Sequence, residues 1–310
     1  SARGSTLSGS GQYGEPSMSR TEAPVVPEYD VAIVGGGVVG AAVAYELSHY
    51  RLSVVLLERE EELSFGVSKA NSGIIHPGTQ NPPGSLKGTL CVEGNRLVRE
   101  MLAELDLDFQ QVGELVVAFD DSDISRLWQL KQEGEALGVP GLEVVSRDWL
   151  RHNEPNLNPD AVAALLAPTA GIISPYRFVY ALAEGARLNG VEVRTHSCVR
   201  WIESVYAETS SSSVRFVLNT PGADLSARFV VNCAGLHADD VAAMVGIRSF
   251  RIRPRKGEEY ILDKKRRYLT RHLLFPVPTP ESKGILLTRT SDGNPTLGPT
   301  AYAAQDQEDL

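Results

Sequence analysis

The chain has 310 residues, enough for one large domain or two ordinary ones with a real core. Its apolar and charged fractions, 42% and 22%, are those of an ordinary globular protein rather than a disordered or fibrous one. A net charge of −9 speaks against a general nucleic-acid or anionic-membrane surface, while leaving room for a local basic pocket that takes an anionic substrate.

Residues 1–27 are rich in Ser, Gly and Pro and read as a disordered tail, with Met18 a candidate native start and residues 1–17 a remnant ahead of it. The segment has no apolar signal-peptide core, and it is rich in glycine and poor in arginine for a mitochondrial presequence. No run is long and apolar enough to predict a transmembrane segment. Residues 31–47 come closest, and their glycines assign them to another role.

Residues 29–58, YDVAIVGGGVVGAAVAYELSHYRLSVVLLE, predict strand, glycine turn, helix and strand. Gly35, Gly37 and Gly40 form G-x-G-x-x-G. The first permits the tight turn, the second lets the backbone approach a pyrophosphate, and the third seats the helix close to the sheet. The N–H groups opening the helix, at Val38 and Val39, point at the phosphates. Glu58 ends the second strand, where an acid accepts hydrogen bonds from a ribose and repels a 2′-phosphate. The motif predicts dinucleotide binding and does not separate FAD from NAD.

Next comes GVSKANSGIIHPG, residues 66–78, dense in small residues and hydroxyls that let the backbone lie against a planar ligand. Its one imidazole, His76, is either a functional group or an ordinary loop histidine. Residues 85–105 predict a helix whose Leu86, Leu90, Leu97, Met101 and Leu105 form a core-facing stripe. A strand is expected within 109–119. A charged helix follows over 121–137, started by Asp123 and stopped by Gly138. Short elements follow at 144–145 and 148–152, then a strand from Ala161. Pro175 opens a helix that Asn189-Gly190 ends. Strands follow in 191–205, 214–218 and 227–231, with a polar turn at 210–213. The last of these strands ends in NCAGLHADD, where Ala234 and Gly235 offer a second small-residue approach to a ligand. From Arg248 onward the chain alternates strands and turns and reads as antiparallel.

The fold class expected is α/β, α+β overall: a Rossmann-type nucleotide-binding domain from residues 28–105 and 165–246, and a β-rich substrate domain from 106–164 and 247–310. Cys91, Cys198 and Cys233 are odd in number and far apart, as expected for thiols in a reducing compartment. The cytoplasm is the expected location, the mitochondrion the alternative, and no metal site is expected.

Taken together, GGGVVG with Glu58, SKANSGIIHPG, GSLKGTLCVEGN, GVPGLEVVSR, EPNL, APTAGIISPY, NCAGLHAD, PRKGEEYILD and GNPTLGPTA resemble the FAD-dependent oxidoreductases of the D-amino-acid-oxidase-like superfamily. The branch they resemble holds the L-2-hydroxyglutarate dehydrogenases and proteins like the anaerobic-type glycerol-3-phosphate dehydrogenases. The resemblance implies FAD, held by Gly35, Gly37, Val38, Val39, Gly40, Glu58 and Arg59, by Ser68, Asn71, Ser72, Gly73, Ile74 and His76 of the loop, and by Val199, Ala234 and Gly235. It also implies oxidation of a small anionic secondary alcohol, glycerol-3-phosphate or alternatively L-2-hydroxyglutarate, by hydride transfer to flavin N5. Electrons would leave to a quinone or another acceptor rather than to NAD. Members of that branch continue beyond the GPT segment, so the chain reads as C-terminally truncated. A reading of another class follows: a flavin-poor fragment serving as a binding module.

Such chemistry needs a base for the hydroxyl proton. An imidazole suits proton exchange near neutral pH, which makes His76 the candidate; its rival role is to hydrogen-bond or covalently anchor the flavin. A substrate carboxylate or phosphate calls for a forked cation, for which Arg289 and Arg255 are the candidates. Tyr260 and Tyr176 are candidates for orienting the substrate hydroxyl, with packing as the competing role. Oligomeric state is open at this level.

Overall fold

A computed structural model describes residues 26–206, 214–279 and 284–309. Residues 1–25 of the expected tail and the polar turn at 210–213 lie outside the described residues.

The apolar run at the start becomes β1 (Glu28–Val34), with its last four residues buried. It pairs in parallel with β2 (Val54–Leu57) on one side and with β12 (Asp224–Asn232) on the other. Outside β2 lies β9 (Glu192–Arg194), also parallel. Outside β12 lie β11 (Val214–Asn219) and β10 (Trp201–Tyr206), both antiparallel. The sheet order is β10-β11-β12-β1-β2-β9. Four parallel strands carry helices on the face of the connecting crossovers, as a doubly wound unit requires. Helix α1 (Val38–Leu47) and α5 (Pro175–Leu188) pack on one face, where Ala41, Ala44, Val179, Leu182 and Ala186 are buried with Ile33 and Leu56. Alanines on α1 keep the two helices close. The other face is covered by residues Val199, Ile202, Leu218 and Val241, the last of these from α6 (Ala238–Met244).

A second sheet holds β5 (Glu114–Ala118), β6 (Glu143–Ser146), β7 (Ala163–Ala167), β14 (Tyr260–Ile261), β15 (Leu273–Pro276), β16 (Leu286–Arg289) and β17 (Pro295–Gly298). Its order is β14-β17-β16-β15-β5-β7-β6. Most neighbours are antiparallel as expected, but β15 runs parallel to β5, because the chain returns to this sheet through the whole nucleotide sheet rather than by a hairpin. On one face Val116, Ala118, Leu165, Leu273 and Phe275 pack under α3 (Asp121–Leu137). On the other, Leu115, Val117, Ala164 and Leu150 of α4 (Arg147–Asn153) close a separate core.

A small sheet joins the two: β3 (Ile74–Ile75) and β4 (Gln110–Gln111) both pair with β8 (Gly171–Ile172). A two-stranded ribbon, β13 (Arg255–Lys256) with β18 (Tyr302–Ala303), completes the described strands.

Two sequence expectations are corrected here. Helix α2 (Leu86–Met101) forms, but Leu86, Leu90 and Leu97 are exposed, at 74%, 58% and 42%. The side turned inward carries Gly88, Asn95 and Val98. Gly88 leaves space that Leu137 of α3 occupies, and the Asn95 amide donates to the backbone carbonyls of His76 and Thr169. Met101 and Leu105 of the expected stripe do pack against the core under the nucleotide sheet, but close approach and hydrogen bonding orient the rest of the helix, so Leu86, Leu90 and Leu97 mislead. The N-cap of α3 is Asp120, not Asp123: Asp120 accepts from the Asp123 N–H at 3.0 Å, while the Asp123 carboxylate accepts from the Phe119 N–H.

Candidate functional site

The turn after β1 is built as the glycine spacing requires. Gly35 sits at φ 109°, a conformation that side chains resist. A Cβ on Gly40 would enter the contact shell of the Gly35 carbonyl oxygen, so α1 can start against the strand end only with glycine there. The N-cap of α1 is Gly37, in extended backbone, and it offers no capping side chain. Ser68 Oγ accepts from the Val38 N–H at 2.8 Å. The N-terminal end of a helix with no side-chain cap suits an anion.

In front of this turn lies a cavity of about 330 Å³. Its walls include Gly35, Gly37, Val38, Val39, Glu58, Arg59, Ser68, Val199, Ala234 and Gly235. The glycine turn, the second strand end and the β12 end therefore converge on one space. Glu58 is 8% exposed, and its carboxylate is pinned: one oxygen accepts from the Gly36 N–H at 2.7 Å, the other from the Glu60 N–H at 3.0 Å. A carboxylate has about four acceptor positions, so two remain for ribose hydroxyls. Arg59 donates to Glu308 at 3.0 Å and lies 3.0 Å from His237 Nε2. Burial is the largest single influence and would lower the Arg59 guanidinium, but its bond to Glu308 together with the charges of Glu308, Glu60 and Glu58 outweighs this, and the net displacement is upward. Cys198, exposed, and Cys233, whose thiol is pushed up by burial, also line the cavity, as do Leu236 and His237. These four were not expected; all flank residues that were, so the neighbouring strand ends carried their signal.

The loop residues Asn71, Ser72, Gly73, Ile74 and His76 stand beyond that cavity wall. Asn71 folds the loop on itself: its amide donates to the Val67 and Ser68 carbonyls, and its oxygen accepts from the Gly73 N–H. Ile74 is then held in β3 against Ile172. This delivers His76 to the edge of the second sheet. Its ring, 40% exposed, meets Phe275 edge-on at 6.0 Å, and its Nδ1 lies 3.6 Å from an oxygen of Glu114. Glu114 was read only as part of an apolar strand. The signal that could have found it is an acid heading the run ELVVA, whose five residues are all buried.

The structure does not gather the remaining candidates around His76. Arg255 is exposed on β13, opposite Ala303. Tyr260 is 74% exposed and Tyr176 44%. Arg289 is half-buried, and desolvation lowers its guanidinium while Glu154 opposes that. Side chains alternate along β16, and Leu286 belongs to the core that holds Phe275, so Arg289 faces the other side of the sheet. There Glu154, 2% exposed, accepts from the backbone N–H groups of Arg271 and His272 and lies 2.7 Å from His272 Nδ1.

Known proteins bear on this arrangement. The chain is 41% identical over 282 residues to a glycerol 3-phosphate dehydrogenase of Caloramator mitchellensis, covering 91% of this chain and 57% of that protein. It is 33% identical to the mitochondrial L-2-hydroxyglutarate dehydrogenase of Homo sapiens, covering 90% and 62%. The chain thus spans about three-fifths of the length of these relatives. Among solved structures, the dithionite-reduced L-alpha-glycerophosphate oxidase of Mycoplasma pneumoniae, with FAD bound, superposes with a TM-score of 0.83 at 30% identity, covering 91% of this chain and 73% of that one. FAD fits the residues present. The glycine turn, whose N-cap residue brings no side chain, suits its diphosphate, the pinned Glu58 suits its ribose, and the cavity between β1, β2 and β12 suits its adenosine half. A profile of the family described as FAD dependent oxidoreductase matches residues 30–310, and this chain belongs to that family.

Proposed function

We propose that the protein carrying this chain is a dehydrogenase for a small anionic secondary alcohol of the glycerol-3-phosphate kind. The observation that carries the reading is the continuity of one loop: it leaves the cavity at Ser68, is stapled by Asn71, and ends at His76. When bound, FAD supplies the acceptor for the hydride leaving the carbinol carbon. His76 takes the hydroxyl proton at Nε2, because Nδ1 is turned toward Glu114. The oxygen lone pair released by that step forms the C=O bond, and the product is a ketone. The loop backbone at Gly73, buried and hydrogen-bonded to Asn71, fixes the start of the segment that carries His76.

The glycerol-phosphate class is supported by the Caloramator and Mycoplasma relatives. A second reading, L-2-hydroxyglutarate, is supported by the human relative at 33% identity. Both substrates are secondary alcohols bearing an anion. The proposal is carried by His76 and the cavity, and neither Arg255 nor Arg289 is given the anion. The electron acceptor proposed is a quinone or another carrier rather than NAD. None of the described helices is long and apolar enough to cross a membrane. The compartment proposed is the cytoplasm, with the mitochondrion as the alternative that the L-2-hydroxyglutarate relatives suggest.

The test is anaerobic. The FAD-loaded protein is mixed with each candidate alcohol in turn while the visible spectrum is recorded. Bleaching by glycerol-3-phosphate supports the first reading, and bleaching by L-2-hydroxyglutarate alone supports the second. An unchanged flavin spectrum with both overturns the proposal.

A further inference from the structure

Among the described residues three histidine–glutamate pairs form: His237 with Glu308 beside the cavity, and two at the second sheet, which differ in one respect. In the first, Glu154 is saturated: it accepts from the backbone of residues 271 and 272 and stands 2.7 Å from the His272 ring. That pair is closed, and its role is to fasten the chain before β15. In the second, Glu114 is 1% exposed at the head of β5, between Ala167 of β7 and Leu273 of β15. One of its oxygens accepts from Thr79 Oγ1 at 2.9 Å. The other has no hydrogen-bond partner among the described residues and lies 3.6 Å from His76 Nδ1. A carboxyl group held in an apolar sheet interior with one oxygen unmet is costly, because the oxygen has lost its water and gained no donor. The His76 ring stands beside that oxygen and can supply a donor. Glu114 is buried in mid-sheet, whereas the His76 side chain is 40% exposed. A separation of 3.6 Å is longer than a hydrogen bond, and a small rotation of the ring closes it.

We propose that Glu114 is a positioning residue for His76, fixing the hydrogen on Nδ1 and thereby leaving the Nε2 lone pair free on the far side of the ring. The same logic orients imidazoles elsewhere: the partner on one nitrogen decides what the other can do. Thr79 contributes by holding the carboxylate at its other oxygen, and Asn95 by holding the His76 backbone carbonyl at 3.2 Å. The carboxylate and the His76 backbone are thus each held by a contact that does not involve the cavity. This inference rests on the reading of His76 as the base, and its test separates the two.

The first measurement needs no cofactor. Nitrogen-15 NMR of the apo chain reports which ring nitrogen carries the hydrogen. The Nδ1–H form is expected for His76 in the unsubstituted chain and a shift toward the Nε2–H form in Glu114→Leu. Leucine suits the apolar surroundings; if that variant fails to fold, Glu114→Gln, which keeps an acceptor for Thr79, carries the same comparison. The second measurement is stopped-flow reduction of the FAD-loaded protein. Glu114→Leu is expected to slow reduction about 10- to 100-fold with little change in KM, the scale seen when a carboxylate that orients an imidazole is removed. The pair His76→Ala and Glu114→Leu is expected to be no slower than His76→Ala alone, because the glutamate acts through the ring. An unaltered tautomer in the Glu114 variant, or losses that multiply in the double variant, overturns the positioning role. Full-rate reduction by His76→Ala overturns the base reading instead, and the tautomer measurement then still decides whether Glu114 orients the ring.

Discussion

Replacing Glu58 separates its hold on the turn from the hold on a ribose proposed for it. Its carboxylate accepts from the buried Gly36 N–H at 2.7 Å and from the half-buried Glu60 N–H at 3.0 Å. Glu58→Ala leaves the first donor without water or partner, costing about 1–3 kcal/mol, and the second, which water can reach, costing about 0.5–1.5 kcal/mol. Urea unfolding of the apo chain should therefore show a loss of about 2–4 kcal/mol. Glu58→Gln keeps one acceptor oxygen at nearly the same place, so the loss should be about 1 kcal/mol. FAD binding should respond differently. Both variants lose the charged acceptor for the ribose, worth about 1.5–3 kcal/mol, or a 10- to 150-fold weaker dissociation constant. Glutamine should thus nearly preserve the fold while failing the cofactor, and flavin fluorescence titration measures the second effect independently of the first. Glu58→Gln binding FAD within about twofold of the unsubstituted protein would refute the assignment of this acid to the cofactor.

Further outcomes are expected. Gly40→Ala places a methyl against the Gly35 carbonyl oxygen and should cost about 1–3 kcal/mol in urea unfolding, with FAD binding lost in parallel; wild-type stability would mean that the turn has room to relax. Exposed Cys198 should react with iodoacetamide ahead of Cys233, whose thiol is held up by burial, and FAD should protect Cys198; equal rates with and without FAD would place the cofactor elsewhere. Glu192 is held below the usual carboxyl range, chiefly by its bond to Arg194. Its contribution is therefore present above about pH 4 and is lost as pH falls through its lower folded value. Arg194→Gln should flatten the loss of stability between neutral and acid pH, and an unchanged acid slope would remove this pair from the account. Asp120→Ala should destabilise by about 1 kcal/mol and speed amide exchange in the first turn of α3; no effect would deny the cap.

The parts legible in the sequence are those fixed by backbone geometry at short range. The spacing of Gly35, Gly37 and Gly40 is a steric requirement, and the turn it describes is present with the expected strand, helix and acid. Pro175 opens its helix and Gly138 closes its own, for equally local reasons. The α2 leucines mislead because a stripe at helical spacing says that one side is apolar, not that a partner covers it. Gly88 and Asn95, the residues that turn this helix, act through contacts with α3 and with residues 76 and 169. Asp120 and Asp123 share one cap, and sequence alone cannot rank two acids three apart. Glu114 escaped because its meaning depends on His76, 38 positions earlier, and on an oxygen left unmet in an otherwise apolar strand. The separation of Arg289 from His76 follows from strand register, which no local pattern encodes.

The pairing of β1 with β12 has a consequence for synthesis. Glu28 lies opposite Ser226, so the central strand of the nucleotide sheet waits for a neighbour made about 200 residues later. At ordinary translation speeds that is a delay of roughly 10–40 s. Through that interval one edge of β1 is unpaired, and Val31 and Ile33, buried in the finished protein, lack half of their cover. The glycine turn and α1 can form at once, but the shape of the cavity cannot, because Ala234 and Gly235 arrive with the late strand. FAD thus finds its site only after the ribosome has passed residue 235, and until then the nascent β1 has only β2 and α1 to cover it.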